Sequence, residues 1–463
     1  MSEDNIPEVQ YNDYGEIIDV DAVEGPVFST FLKFVIPSTL SLLAISTAAV
    51  VDGFFVGKYI GEEALASVNL LVPYFGLLFG LALMLAVGGS VKASIAIGKR
   101  DAKTASNVYS QVFFAVLLFN IIALPISLYF SDSLFIGLGA DDSLFVLMNQ
   151  YFVVLAPAVV IQLCGLVCYY FFRADNKPQH GMKALMLGAI TNIILNTLFI
   201  GYLGYGIQAA AWATLFAEFV QLIYIFRYFK LPDINLNLYW PKFNIKTLVQ
   251  SGCNGFSEFI NETSIGFVIL VFHWVINIQS GVQGIAAFSV INYFIYISLM
   301  VYYGIVDSMH VLLGQNFGAH KIERVVKFMQ MAGICIATLT VLQICILFSF
   351  EETLINFFLE DGATQTQALT LDFIHIIWPI FLFSGFNVLT SAYLTSAELA
   401  LQSSVIASLR SLFLPIGLVL LFYMLFDDNN YLYAIPIAEG LTFLVAIALF
   451  YCYSPRRLTP PDE

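Results

Sequence analysis

Residues 70–87 read LLVPYFGLLFGLALMLAV, a run without a single charged side chain. A bilayer core needs about 20 mostly apolar residues per helix, and runs of this kind recur along the whole chain. They are continuous, not alternating, and backbone groups in lipid must be satisfied internally, so each run predicts a helix. Of the 463 residues, 59% are hydrophobic and only 11% are charged. Soluble domains carry roughly 25% charged residues, so the chain is predicted to be an integral membrane protein.

Twelve transmembrane helices are predicted. Their approximate bounds are 30–56, 64–90, 107–130, 145–172, 183–203, 207–229, 252–276, 285–313, 329–350, 372–394, 405–426 and 431–453. With the amino terminus inside, the inner loops receive the Lys and Arg clusters within 99–103, 173–183, 227–246 and 321–327, together with Arg456 and Arg457. The outer loops receive Lys58 alone. The positive-inside rule therefore predicts that both termini are cytoplasmic.

The two halves of the chain resemble each other at an offset of about 220 residues. Gly98 is followed by a basic loop and so is Gly318, and an Ala-Glu pair ends at Glu218 and again at Glu439. Six helices per half give both halves the same orientation, so two six-helix bundles related by a pseudo-two-fold axis along the membrane normal are expected. The predicted division is an acidic disordered tail (1–26), an N-lobe (27–230), a cytoplasmic linker (231–250), a C-lobe (251–453) and a cytoplasmic tail (454–463).

Short motifs follow one another along the twelve predicted helices. They are Val51–Gly57, Glu63–Ala66, Gly88–Ser94, Phe172–Ala174, Asn192–Asn196, Gly255–Gly266, Gln315–Ala319, Ser408–Arg410 and Ile435–Glu439. In this order and spacing, the chain resembles the multidrug and toxic compound extrusion (MATE) family, in its bacterial DinF/MepA-like branch. The resemblance implies an antiporter of the bacterial inner membrane, which exports lipophilic or cationic drugs in exchange for protons or sodium moving inward.

Ionisable side chains inside a membrane are costly, so each is a candidate functional residue. Asp52 lies about five residues from the outer end of the first helix, hence roughly 8 Å deep at about 1.5 Å per residue. Asn192, Asn196 and Thr214 fall at matching depth, and the family's cation site uses matching positions. Asn196 stands where the family commonly has a second Asp, which weakens the case for sodium and favours a proton. A purely structural hydrogen bond from Asp52 to a neighbouring helix is the alternative.

Further carboxylates lie deeper in the predicted helices. Glu218 is one turn beyond Thr214 and is a candidate proton relay, whereas the matching position of Glu439 fits a symmetric structural role equally well. Glu258 and Glu262 lie one turn apart on the seventh helix. They are candidates for a C-lobe site for a cationic substrate or a proton, against the alternative of helix-to-helix hydrogen bonds.

Several charged residues are expected near the cytoplasmic ends of helices. Asp307 and His310 lie toward the cytoplasmic end of the eighth helix and could pair with each other, and an interfacial salt bridge is favoured over a functional role for them. Arg173 and Asp175 end the fourth helix and Arg410 opens the eleventh, so these residues are predicted to be inner-gate residues or anchors for lipid headgroups.

Three other classes of protein compete with this hypothesis. A lipid-linked oligosaccharide flippase shares the architecture but is expected to line its cavity with cationic side chains. A major-facilitator carrier matches only the loop after Gly98. An enzyme is disfavoured because HExxH, GxSxG and metal-spaced Cys/His patterns are missing from the sequence. No cofactor is expected, and the only metal expected is sodium at Asp52. The predicted partners are lipophilic or cationic drugs and membrane lipid, and no nucleic acid is expected to bind. The protein is predicted to be a monomer.

Overall fold

A computed structural model describes residues 21–231, 233–358, 364–425 and 429–458, and within these ranges it contains helices and no strands. Twelve helices have the length and hydropathy of membrane spans or of parts of one. They are α1 (Val27–Ile60), α2 (Glu62–Gly98), α3 (Ala102–Tyr129), α4 (Leu144–Ala174), α5 (Pro178–Tyr202), α6 (Ile207–Lys230), α7 (256–280), α8 (282–318), α9 (Ile322–Ser349), α10 (Gln365–Ile377 with Ile380–Ser396), α11 (Ala400–Leu425) and α12 (Asn430–Cys452).

The boundary between α7 and α8 is a single residue. Phe256–Gly318 is helical over 63 residues, which would be about 95 Å long at 1.5 Å per residue if it were straight. Gly281 interrupts it with φ 62° and ψ −160°, a conformation that residues with a Cβ avoid. The rings of Phe272 and Phe288 are 5.7 Å apart, whereas sixteen residues of straight helix would separate them by about 24 Å. The chain therefore reverses at Gly281, and α7 and α8 form an antiparallel hairpin.

Among the differences between the observed and the predicted helix bounds are three in the C-lobe. A short helix, Ile245–Asn254, precedes α7 and is separated from it by Gly255. The helix α10 begins before residue 372 and bends by 51° between Ile377 and Ile380, where Pro379 has no backbone N–H to donate. The helix α11 begins at Ala400, five residues before the predicted start, and this places Arg410 well inside it.

A seam between α2 and α8 shows how the two lobes are related. A Cβ added to Gly98 would lie 2.0 Å from the carbonyl oxygen of Gln315, and one added to Gly318 would lie 2.1 Å from that of Ile95. Adding 220 to the residue numbers converts Gly98 into Gly318 and Ile95 into Gln315. Each glycine therefore contacts the residue that corresponds, in the other lobe, to its own neighbour three positions earlier. Such reciprocal contacts are what a two-fold axis between α2 and α8 produces. The predicted fold class, two six-helix bundles with parallel repeats, is confirmed.

We call the end of the molecule that carries Arg100, Arg227, Arg324 and Arg456 the basic end. At this end α1 reaches across the lobes: Phe31 and Phe34 pack in a buried cluster with Met309 and Phe328 of α8 and α9. The remaining N-lobe helices form a separate core of their own. The lobes are therefore joined at the basic end by apolar packing as well as by the glycine seam.

Residues 21–25 form a strap at the basic end that touches both lobes. Arg324 donates hydrogen bonds to the carbonyl oxygens of Ala22 and Gly25 at 3.1 and 2.8 Å, while Arg100 of the N-lobe pairs with Glu24 at 2.7 Å. The expectation of disorder throughout residues 1–26 is wrong for residues 21–24, which are helical and bound. Residues 1–20 lie outside the described residues, and the proposed division into domains stays a prediction.

The segment between the lobes lies along α3. The backbone N–H groups of Asn237 and Asn244 donate to Ser106 and Gln111 of α3 at 3.0 and 2.8 Å. Asp175, just past α4, accepts hydrogen bonds from the Tyr228 hydroxyl and from the backbone N–H of Asn235. Burial raises the pKa of the Asp175 carboxyl to about 7, against the lowering effect of these hydrogen bonds. Asp175 thus holds the linker and does not anchor a lipid headgroup as expected.

Candidate functional site: an acidic cavity between the lobes

A cavity of about 470 Å³ lies between the lobes, with walls from α1, α2, α4, α6, α7 and α8. Its volume is within the range of small-molecule sites. Four carboxylates line it, from Asp52, Glu258, Glu262 and Asp307. In the part of the chain that the structure describes, no Lys, Arg or His side chain lines this cavity. The walls are therefore mostly apolar, with some neutral polar side chains, and the charged groups on them are all acidic.

The four predicted residues of the N-lobe site come together at one side of the cavity. The Asn196 Nδ2 donates to the Asp52 carboxylate and, at 3.2 Å, to the Asn192 Oδ1; the Asn192 Nδ2 donates to Thr214 at 3.3 Å. Asn192 and Asn196 are buried, whereas Asp52 and Thr214 border the cavity. The Asn196 Oδ1 is buried and has no hydrogen-bond partner among the described residues. This set of oxygen atoms suits a small hard cation, and its carboxylate can accept a proton.

Glu218 lies one turn from Thr214 on α6 and is buried, but it does not line the cavity. Its Oε2 has no hydrogen-bond partner within the described residues. The predicted relay is thus placed next to the N-lobe cluster, and its function stays a prediction.

An ion pair crosses from one lobe to the other beneath the cavity. The Arg173 Nη1 of α4 lies 3.2 Å from the Asp307 Oδ2 of α8, with side chains 0% and 9% exposed. The Tyr170 hydroxyl donates to the same carboxylate oxygen at 3.1 Å, and the guanidinium lies over the rings of Tyr169 and Tyr170 at 4.6 and 4.5 Å. Such burial excludes a lipid-anchoring position for Arg173 and leaves the predicted gate position.

The predicted pairing of Asp307 with His310 is wrong. Both ring nitrogens of His310 are buried without a hydrogen-bond partner in the described part of the chain. Arg173 carries a permanent charge and five donors, so it binds the Asp307 carboxylate in preference to an imidazole.

The C-lobe wall of the cavity is supported from behind by α11. Residues Leu409–Phe413 form a π-helical stretch, a widened turn that is frequent at functional sites. Arg410 lies there, with its side chain 8% exposed and its Nε 3.0 Å from the Glu439 Oε1, so its predicted position at the inner surface is wrong. Its Nη1 donates to the Tyr303 hydroxyl at 3.3 Å. Glu439 also accepts from the Asn387 Nδ2 at 2.6 Å, which agrees with a structural role.

Glu258 and Glu262 lie on α7 at the same wall, as the spacing predicted. Asn261, between them, also lines the cavity and accepts a hydrogen bond from the Ser411 hydroxyl at 2.7 Å. Neither Asn261 nor Tyr303 was predicted from the sequence to be a site residue. The signal for Asn261 was its position on the same turn as the two glutamates; Tyr303 was one tyrosine among 24.

Comparison with known proteins agrees with this architecture. A model of the MatE family matches residues 37–198 and again residues 256–421. The multidrug export protein MepA of Staphylococcus aureus is 22% identical over 444 residues, covering 95% of this chain and 97% of that protein.

Two solved structures share the fold. An outward-facing multidrug resistance MATE family transporter of the MOP superfamily has a TM-score of 0.86 at 21% identity, over 96% of this chain and 98% of that one. A MOP superfamily transporter from Pyrococcus furiosus has a TM-score of 0.87 at 20% identity, over 96% and 100%, and is described as having a binding pocket of reverse polarity that suggests a different function. With the family model covering most of both lobes, the chain belongs to the MatE family, the multidrug and toxic compound extrusion family that its motifs resemble.

Proposed function

We propose that the protein is a secondary active exporter of lipophilic and cationic drugs, driven by protons or sodium moving inward. The acidic cavity carries this proposal. Its carboxylates attract cations, and five tyrosines among its lining residues supply faces for apolar packing and cation–π contact. The tyrosines are Tyr151, Tyr169, Tyr170, Tyr296 and Tyr303. The name of the S. aureus relative, a multidrug export protein, supports the same function.

The polarity of the cavity also bears on the rival function. A flippase for lipid-linked oligosaccharides must bind phosphate groups, which Arg and Lys recognise. Within the described residues the lining holds four carboxylates and no basic side chain. The P. furiosus transporter, which has this fold, is described as having a pocket of reverse polarity. The polarity of the pocket, and not the fold, therefore decides between drug export and lipid-linked oligosaccharide flipping. We therefore favour drug export.

Alternating access follows from where the lobes touch. The glycine seam, the Arg173–Asp307 pair and the apolar cluster around Phe31 all lie between the cavity and the basic end. We infer that the basic end faces the cytoplasm and that the cavity opens to the opposite side. Rocking the lobes about the axis between α2 and α8 would break these contacts and open the cavity inward.

Coupling is assigned to the N-lobe cluster. Asp52 and Thr214 line the same cavity as Glu258 and Glu262, so a drug and a coupling ion would share one cavity. Asp52 is the sole carboxylate of that cluster, and a proton or sodium ion bound there would neutralise it. The unpartnered Asn196 Oδ1 supports an ion at this position.

Transport by purified protein in liposomes tests the proposal. A fluorescent lipophilic cation is followed while a proton gradient or a sodium gradient is imposed separately. We expect one gradient alone to drive uphill movement of the cation, and the gradient that does so identifies the coupling ion. Movement that neither gradient accelerates relative to protein-free liposomes would contradict secondary active export.

Orientation in the inner membrane has its own test. In a cysteine-free background, a cysteine at position 132 should react with an impermeant thiol reagent added to intact cells, and a cysteine at position 242 should not. Both positions are exposed in the structure and lie at opposite ends of the helices. Labelling of position 242 in intact cells would show that the basic end faces outward, opposite to the proposed orientation.

A further inference from the structure

The supports behind the C-lobe wall fix the direction of two hydrogen-bonding groups. Arg410 has only donors, so the Tyr303 hydroxyl must accept the Arg410 N–H and keeps its own hydrogen to donate elsewhere. The Ser411 hydroxyl donates to the Asn261 Oδ1, and the Asn261 amide in turn donates to the Glu258 carboxylate. Both residues line the cavity.

The neighbours on the same wall supply the opposite polarity. Glu258 and Glu262 flank Asn261 on α7 and offer oxygen acceptors. One oriented donor, the Tyr303 hydroxyl, therefore lies on the same wall as two carboxylates, of which Glu258 also accepts from Asn261. A ligand that satisfies all of them carries a positive charge and, close to it, a hydrogen-bond acceptor such as a carbonyl or ether oxygen.

We propose that Arg410 is a positioning residue for substrate specificity: held by Glu439, it fixes the Tyr303 hydroxyl as a donor to an acceptor atom on cationic drugs. This inference rests on the proposed function and narrows it to a substrate class. Arg410 does not touch the cavity, so it acts through Tyr303. Its own charge is balanced by Glu439 at 3.0 Å, which keeps a buried cation near the site without adding positive charge to the cavity wall.

Two probes separate this specificity from general cation binding. Rhodamine 6G is a lipophilic cation with an ester carbonyl, whereas tetraphenylphosphonium is a lipophilic cation without a hydrogen-bond acceptor. Binding of each to purified protein in lipid nanodiscs is measured directly. Tyr303→Phe should weaken rhodamine 6G binding by about tenfold, the upper end for one neutral hydrogen bond, and leave tetraphenylphosphonium within about twofold. Tyr302→Phe, at the neighbouring buried tyrosine that does not line the cavity and whose hydroxyl bonds Gln343 instead, is the control and should change neither.

The positioning role is tested by a double-mutant cycle. Arg410→Gln combined with Glu439→Gln removes both buried charges together, so neither is left unpaired. We expect this variant to reproduce the tenfold loss for rhodamine 6G alone, and to add no further loss when Tyr303→Phe is also present.

Three outcomes would overturn the inference: equal losses for both probes, no loss for either, or losses that add in the combined variant. If the unmodified protein bound neither probe, the proposed export of cationic drugs would itself fail, and that result is distinct from a failure of Arg410 alone.

Discussion

The buried carboxylates at matching positions in the two lobes differ in whether they have an ion-pair partner. Glu218 on α6 and Glu439 on α12 each end an Ala-Glu pair. Glu439 is bound by Arg410 and Asn387. Glu218 has no ion-pair partner among the described residues. The N-lobe position that matches Arg410 is Ala189, because 410 − 189 and 439 − 218 are equal. The C-lobe thus balances its carboxylate internally, and the N-lobe does not.

The difference indicates a division of labour. A buried charge needs a counter-charge, and a carboxylate without one must bind a proton or a cation from solution. The N-lobe has two such carboxylates, Asp52 and Glu218. Glu258 and Glu262 of the C-lobe also form no salt bridge among the described residues, but they line the cavity on the same wall as the Tyr303 hydroxyl, where a cationic drug can bind them. Ion coupling therefore belongs to the N-lobe in our proposal, and drug recognition to the C-lobe wall.

The largest effect should come from Asp52→Asn. The amide keeps the shape and most hydrogen bonds of the N-lobe cluster but can neither titrate nor attract a cation. The protein should fold, insert and bind drug, while gradient-driven export falls to the level of protein-free liposomes. Full export by a well-expressed Asp52→Asn variant would contradict the coupling role of Asp52, and Glu218 would be the next candidate.

The matched variants Glu439→Gln and Glu218→Gln compare the lobes directly. Glu439→Gln leaves the Arg410 guanidinium buried without a counter-charge, and breaking a buried pair in this way costs roughly 3–5 kcal/mol. Glu218→Gln removes no ion pair among the described residues and should change stability by less than about 1 kcal/mol. Thermal unfolding in detergent measures both, and equal losses would show that the two positions have the same role.

A smaller, selective effect is expected from Glu262→Gln. Loss of one cavity carboxylate should weaken the transport of cationic drugs more than that of neutral ones, because the remaining walls are unchanged. Transport assays with one drug of each kind provide the measurement. An equal decrease for both kinds would identify Glu262 as a structural hydrogen-bond partner.

The smallest effect should come from Glu24→Gln in the strap. Its pairing with Arg100 joins side chains that are 47% and 35% exposed, and exposed pairs are worth about 0–1 kcal/mol. A slight fall in unfolding temperature at low salt, absent at high salt, is expected. A large fall that persists at high salt would show that the strap holds the lobes by something other than charge.

Helix number and repeat could be predicted from the sequence because both depend on local features. Apolar runs give the positions of the spans, and recurring motifs give the offset of about 220 residues between the halves. The convergence of Asp52 with Asn192, Asn196 and Thr214 also followed, because their depths can be counted along straight helices.

Contacts between the lobes could not be predicted in this way. The sequence suggested His310, on the same helix, as a possible partner of Asp307, yet its partner is Arg173, 134 residues away. Nothing in the sequence gives the distance between α4 and α8. Arg410 was placed at the surface because the start of α11 was set five residues too late. One turn of error at a helix end is enough to turn a buried charge into an apparent surface one.

The seam at Gly98 and Gly318 has an evolutionary consequence. Backbone meets backbone there, so the seam itself contributes no side chain that could favour one cargo over another. Mutations in the cavity walls can then alter which compounds are exported while the closing surface is inherited unchanged. A duplicated ancestral half would have supplied both glycines at once, and descendants are free to diversify in what they carry as long as neither glycine gains a side chain.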